Sequence, residues 1–117
     1  MAPKIQFKEG IDEETIPNIM LTRSRDGSTG TATFRFENPN ILTKENSKSN
    51  SITGMFLIDD EGILITRNIK ANFLSGKPVA IEALYIMKTR DSWDRFMRFI
   101  NAYSKANALT FIKSDVN

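Results

Sequence analysis

Apolar and polar residues alternate along much of the first three quarters of the chain, the period-two pattern of half-buried strands. KIQFK (Lys4 to Lys8) reads as a first strand, and the acidic EGIDEETIPN that follows reads as a connection closing at Pro17. IMLTRSR and TATFRFEN flank DGSTG, so they form a hairpin in which Asp26-Gly27 and Gly30 would supply the left-handed positions. In its second arm Ala32, Phe34 and Phe36 point to a core, while Thr31, Thr33, Arg35 and Glu37 point away. The polar NPNILTKENSKSNS is the longest connection, with one short helical turn around Ile41 and Leu42.

ITGMFLI and ILITRNIKANF are joined by DDEG as a second hairpin. In the latter stretch Ile63, Ile65, Ile69, Ala71 and Phe73 share one parity, interrupted by Arg67. SGKP makes the next turn. VAIEALYIMK carries apolar residues on both faces around Glu82, which predicts a central strand with one side under a helix. In RDSWDRFMRFINAYSKAN the period changes: Trp93, Phe96, Met97, Ile100 and Tyr103 recur at three- and four-residue steps, widened by Phe99. Asp91 is the expected N-cap with Asp94 in the first turn, Asn107 the exit, and LTFIK a last short strand. The pattern predicts an α+β fold in a single domain over residues 1–117: an antiparallel sheet of hairpins with one amphipathic C-terminal helix on a face.

Composition narrows the chemistry. The 117 residues, 40% hydrophobic and 26% charged, suffice for an ordinary core. With no cysteine, disulfides, zinc–thiolate sites and thiol catalysis drop out; with no histidine, so does the commonest general base and metal ligand. The formal net charge is only +2, without a block of like charges, so a dense phosphate-neutralising stripe is missing. No apolar run reaches the length of a membrane-spanning helix, and the acidic start predicts neither signal nor transit peptide.

Against that background the candidate sites are few. RDGSTG runs into a strand rather than a helix and lacks a following lysine, so it is a hairpin turn and not a phosphate cradle. DDEG has no glutamate at the spacing a calcium loop requires and is also a turn. Phe34 and Phe36 share parity with Ala32, so they pack in the core and do not stack on bases. Arg95 and Arg98 each follow an acid by four residues, Asp91 and Asp94, and are expected to pair along the helix. There remain Arg23, Arg25 and Arg35. In a simple register these three guanidiniums share one side of the hairpin, where they would meet the carboxylates of a partner or phosphates.

Three stretches, LTRSRDGSTGTATFRFENP, KANFLSGKPVAIEALYIMK and WDRFMRFINAYSKANALTF, together resemble the small photosystem II reaction-centre protein family known as Psb28 (PsbW in older naming). The likeness runs from about Ile5 to Lys113, and Asn38 to Ser51 match less well. The resemblance implies a non-enzymatic α+β protein with no cofactor of its own, peripheral to the thylakoid membrane. It implies docking on the cytoplasmic or stromal face of photosystem II assembly and repair intermediates. The implied partners are the larger core antenna protein and the reaction-centre heterodimer, reached in part by extension of the sheet with an antenna tail. The membrane is then met only through those protein partners, without nucleic acid, and a link to chlorophyll-protein biogenesis comes with the family. Without a transit peptide such a protein is expected from a cyanobacterium or a plastid genome.

Two other classes compete with that reading. A nucleic-acid-binding sheet would use the three hairpin arginines. A small enzyme would need a deep pocket in which Glu82, Asp59 or Lys88 converge.

Overall fold

The computed structural model describes residues 2–42, 52–109 and 112–116, the last of these by backbone alone. Nine strands appear among the described residues: β1 (Lys4–Lys8), β2 (Ile11–Asp12), β3 (Asn18–Ser24), β4 (Gly30–Glu37), β5 (Met55–Asp59), β6 (Gly62–Thr66), β7 (Ile69–Leu74), β8 (Lys77–Met87) and β9 (Ile112–Val116). A 3-10 turn covers Asn40–Leu42, and the helix α1 covers Arg90–Ala106. The α+β class, the hairpins and the amphipathic helix are as the periodicity predicts. The strands are divided, however, between two sheets, ordered β2-β1-β5-β6 and β7-β8-β4-β3-β9. All pairs are antiparallel except β3 with β9, which run parallel. Of LTFIK, Thr110 and Phe111 lie outside the described residues, as do residues 43–51 of the long connection.

One core joins both sheets and the helix. Ile5 and Phe7 from β1 and Leu57 from β5 meet Phe34 and Phe36 from β4, with Phe96, Phe99 and Ile100 closing the third side. The Phe7 and Phe36 rings meet edge-on at 4.8 Å, and Phe34 meets Phe96 likewise at 6.1 Å. Each of these phenylalanines is fully buried, a contribution of roughly 1.5–3 kcal/mol per side chain. The predicted stripe of α1 is the buried one, with Met97 at its margin.

The cap of α1 is Thr89, not Asp91. The Thr89 hydroxyl accepts from the Ser92 backbone N–H at 3.0 Å, and the Thr89 N–H donates back to the Ser92 hydroxyl at 3.1 Å. This reciprocal box satisfies two otherwise orphan donors, which an aspartate one residue inside the helix cannot do. Asn107 is the C-cap, as expected.

The stretch ILITRNIKANF departs further from expectation. It is not one strand. β6 ends at Thr66, Arg67 and Asn68 cross over, and β7 joins the other sheet. In β6 the core-facing residue is Leu64, paired with the fully buried Leu57, so Ile63 and Ile65 face outward at 57% and 45% exposure. In β7, Ile69 and Ala71 lie opposite Ala83 and Ile81; Ile69 packs against the core, while Ala71 is exposed. After Asn72 the register shifts, with Val79 the extra residue on β8, and Phe73, opposite Pro78 close to the turn, is 63% exposed.

Candidate partner interface

The hairpin loop between β3 and β4 is closed by its own residues. Asp26 Oδ1 accepts from the Ser28 hydroxyl at 2.7 Å, the Ser28 N–H at 3.0 Å and the Ser24 hydroxyl at 2.9 Å. Those bonds, the Ser28 hydroxyl first, hold the Asp26 carboxyl down at about 2. Gly27 takes the left-handed conformation (φ 75°). Gly30 does not; a Cβ there would lie 2.5 Å from the Trp93 ring, so its role is to admit that indole. The Arg23 guanidinium lies 4.7 Å from the centre of the Trp93 ring and donates to the Gly27 carbonyl at 3.2 Å. Arg90, at the start of α1, donates to the Asp26 carbonyl from the other side. The loop is a clamp on the helix N-terminus.

The three predicted arginines are therefore dispersed. In the observed register Arg23 pairs with Gly30 and Arg35 with Asn18, which puts Arg23 on the helix side of the sheet and Arg35 on the opposite face. There Arg35 bridges Glu37 (2.7 Å) and Glu82 (2.8 Å), and Glu82 also accepts from Asn72 at 2.7 Å. The Asn72 bond is the main reason the Glu82 carboxyl sits below the usual glutamate range, with Lys70 and Arg35 adding to it against the cost of burial. Arg25 alone stands exposed, at the loop tip.

The helix arginines do not pair along the helix as expected but reach across to the DDEG turn. Arg95 grips Asp59 with two bonds of 2.9 and 2.7 Å, and Arg98 grips Glu61 with bonds of 2.8 and 3.0 Å. Burial alone would raise the Asp59 carboxyl; the Arg95 bonds, the Glu61 and Gly62 N–H groups and the Arg95 charge outweigh it and hold the group below the ordinary aspartate value. Of DEE, only Glu13 is buried. Its carboxylate accepts from the backbone N–H groups of Thr15, Asn40 and Ile41, tying the acidic connection to the 3-10 turn. Asp59, Glu82 and Lys88 do not converge: Asp59 is held by Arg95, and the other two line separate open grooves.

A continuous stretch from Gly62 to Lys77 is largely open among the described residues. It contributes β6 and β7, each an outer strand of its sheet among the described residues. It holds four of the seven exposed large hydrophobic residues among those described: Ile63, Ile65, Phe73 and Leu74. Between Glu61 and Glu82 it contains Arg67, Lys70 and Lys77 and no acid. An outer strand offers unpaired N–H and C=O groups to an extended segment, and the alternate side chains would select it. Alternation alone does not reveal this site, because a shared parity does not say which face is covered; the absence of acids over that stretch is its visible mark.

The sequence model of the family described as Psb28 protein matches residues 5–111. The chain belongs to the Psb28 family. It is 60% identical to the photosystem II reaction center Psb28 protein of Trieres chinensis, over 97% of this chain and 99% of that one. Identity to the protein of the same name from Pyropia yezoensis is 57%, over 94% of this chain and 96% of its relative. The chloroplastic photosystem II reaction center PSB28 protein of rice (Oryza sativa subsp. japonica) is 50% identical across 95% of this chain, which spans 61% of the rice protein. The family's setting is thus photosynthesis and photosystem II. No described helix is long and apolar enough to cross a membrane.

Proposed function

We propose that this chain acts in photosystem II as a non-enzymatic assembly and repair factor, docking from the cytoplasmic or stromal side on intermediates that have not matured. Its partners on this reading are the larger core antenna protein and the reaction-centre heterodimer, and chlorophyll-protein biogenesis is the process it serves. The family membership supports the setting. The observation that carries the mode of action is the open stretch Gly62 to Lys77, which presents the outer strands of both sheets side by side in sequence. A partner segment laid along either strand gains backbone hydrogen bonds, and Ile63 and Ile65 add apolar contact beside β6. Arg25, exposed at the far loop, is the arginine left to meet a partner carboxylate. Arg23 and Arg35 already have partners within the chain, which weakens the nucleic-acid reading that needed all three.

Affinity purification from thylakoids with crosslinking mass spectrometry tests this. The larger antenna protein should be recovered from incomplete complexes, with crosslinks from Lys70 or Lys77. Recovery only with mature complexes, or of no photosystem subunit, would refute the proposal.

A further inference from the structure

The β7–β8 turn has a property that strand extension does not use. Phe73 and Leu74, 63% and 68% exposed, are the two most exposed large hydrophobic residues among those described, and they are adjacent. Ser75 (φ 52°) and Gly76 (φ 80°) close the turn directly after them, both in the left-handed region that a two-residue hairpin requires. As successive residues of β7, Phe73 and Leu74 have opposite senses, Phe73 opposite Pro78 and Leu74 opposite Lys77. The result is a turn exposed from Phe73 to Lys77, with an apolar side chain on each side of the strand leading into it. A concave protein pocket is one way to cover a patch; an exposed turn with apolar flanks suits a soft, planar apolar medium better.

Charge selects the kind of surface. Lys77 is at the tip and exposed, and Lys70 is exposed further back on β7. Arg35 bridges Glu37 and Glu82, and Lys70 lies opposite Glu82 and shares its charge, so Lys77 is the cation at the tip itself. We propose that this hairpin tip inserts shallowly into the interface of an anionic bilayer, Phe73 and Leu74 entering between headgroups while Lys77 and Lys70 remain at headgroup level. Insertion stays shallow because the Ser75–Gly76 backbone needs water or headgroup partners, which the hydrocarbon interior cannot supply. Two apolar side chains alone bind weakly, so the cationic contribution is needed as a second signal. This contact goes beyond the protein docking proposed above and does not depend on it.

The test uses the full chain, purified, with vesicles of phosphatidylcholine alone or of an equimolar mixture with phosphatidylglycerol. Co-sedimentation should favour the anionic vesicles and decline as salt is raised. The double variant Phe73→Ser/Leu74→Ser should lower partitioning on anionic vesicles by about tenfold or more, from the lost apolar insertion. Lys77→Glu should reduce the preference for anionic over neutral vesicles. A Phe73→Trp variant should show a blue-shifted emission that brominated lipid quenches, whereas the signal of the buried Trp93 stays unchanged. Equal sedimentation of the parent chain and the double variant would overturn the proposal. So would loss of association of that variant with detergent-solubilised photosystem complexes when the parent chain ignores vesicles, since the tip would then be a protein contact. Because vesicles contain no photosystem, failure here leaves the assembly reading standing.

Discussion

Two glycine-containing turns of this molecule have opposite fates. The loop from Ser24 to Gly30 is sealed: Asp26 ties it internally, Arg23 and Arg90 hold its carbonyls, and Trp93 fills the notch at Gly30. The turn at Ser75–Gly76 is bare, with Phe73 and Leu74 beside it in water. Both are hairpins of similar local chemistry. What separates them is position relative to α1, whose N-terminus docks on the first and lies away from the second. Side chains at the first act on stability; those at the second are free to act on something else.

The largest effect should come from filling the Trp93 notch. Gly30→Val places carbon where the indole ring already sits, with the Thr22 carbonyl also within 2.9 Å of the new Cβ, so urea unfolding should show a loss of about 3 kcal/mol. At Gly76 an added Cβ meets no atom within 4 Å, so a substitution there should cost chiefly its left-handed backbone strain.

Next comes the buried end of the same helix. Burial, helped by the charge of Glu13, pushes the Tyr103 hydroxyl up to about 12. An unfolded tyrosine ionises near 10, so between those values the unfolded chain releases a proton that the folded chain keeps. Stability should be intact below pH 10 and fall by about 2 kcal/mol as the pH climbs towards 12. Tyr103→Phe should remove that part of the alkaline loss. It should also be neutral or slightly stabilising at pH 7, because the buried hydroxyl has no hydrogen-bond partner among the described residues.

Arg95→Met, which strips Asp59 of its partner, should cost about 1–2 kcal/mol at neutral pH. The parent chain holds Asp59 below its ordinary value of 3.8, so the stabilisation from the pair is full above that pH. It is lost as the pH falls through the lower folded value, and acid titrations of the two proteins should converge there.

The smallest stability effects belong to the open side. Arg25→Glu and Ile65→Thr should each stay within about 0.5 kcal/mol of the parent in thermal unfolding. Both should nevertheless weaken recovery of photosystem subunits; a large loss of stability from either would show that the contrast between the two regions is drawn wrongly.

Much of the architecture was legible without coordinates, for reasons that are local. Period two in TATFRFEN and the three- and four-residue steps from Trp93 to Tyr103 each identify an element and its buried side, because a single partner layer decides both. The connection DDEG was readable as a turn, but not as the anchor of Arg95 and Arg98, since proximity along the helix to Asp91 and Asp94 suggested a nearer pairing. The candidate site was the least legible. Arg23 and Arg35 were assigned to one face by counting across a loop of unknown register, and the observed pairing separates them.

By itself the sequence determined the α+β class, the hairpins, the helix and its stripe, and a family likeness spread over long exact strings such as RSRDGS and WDRFMRF. Tertiary structure decided which sheet each strand joins, and with it which side of ILITRNIKANF faces water. The reason is that alternation fixes which residues share a face but never which face is covered. Ile63, Ile65 and Ile69 share one parity, yet the change of sheet after Thr66 leaves Ile63 and Ile65 in water and packs Ile69 against the core.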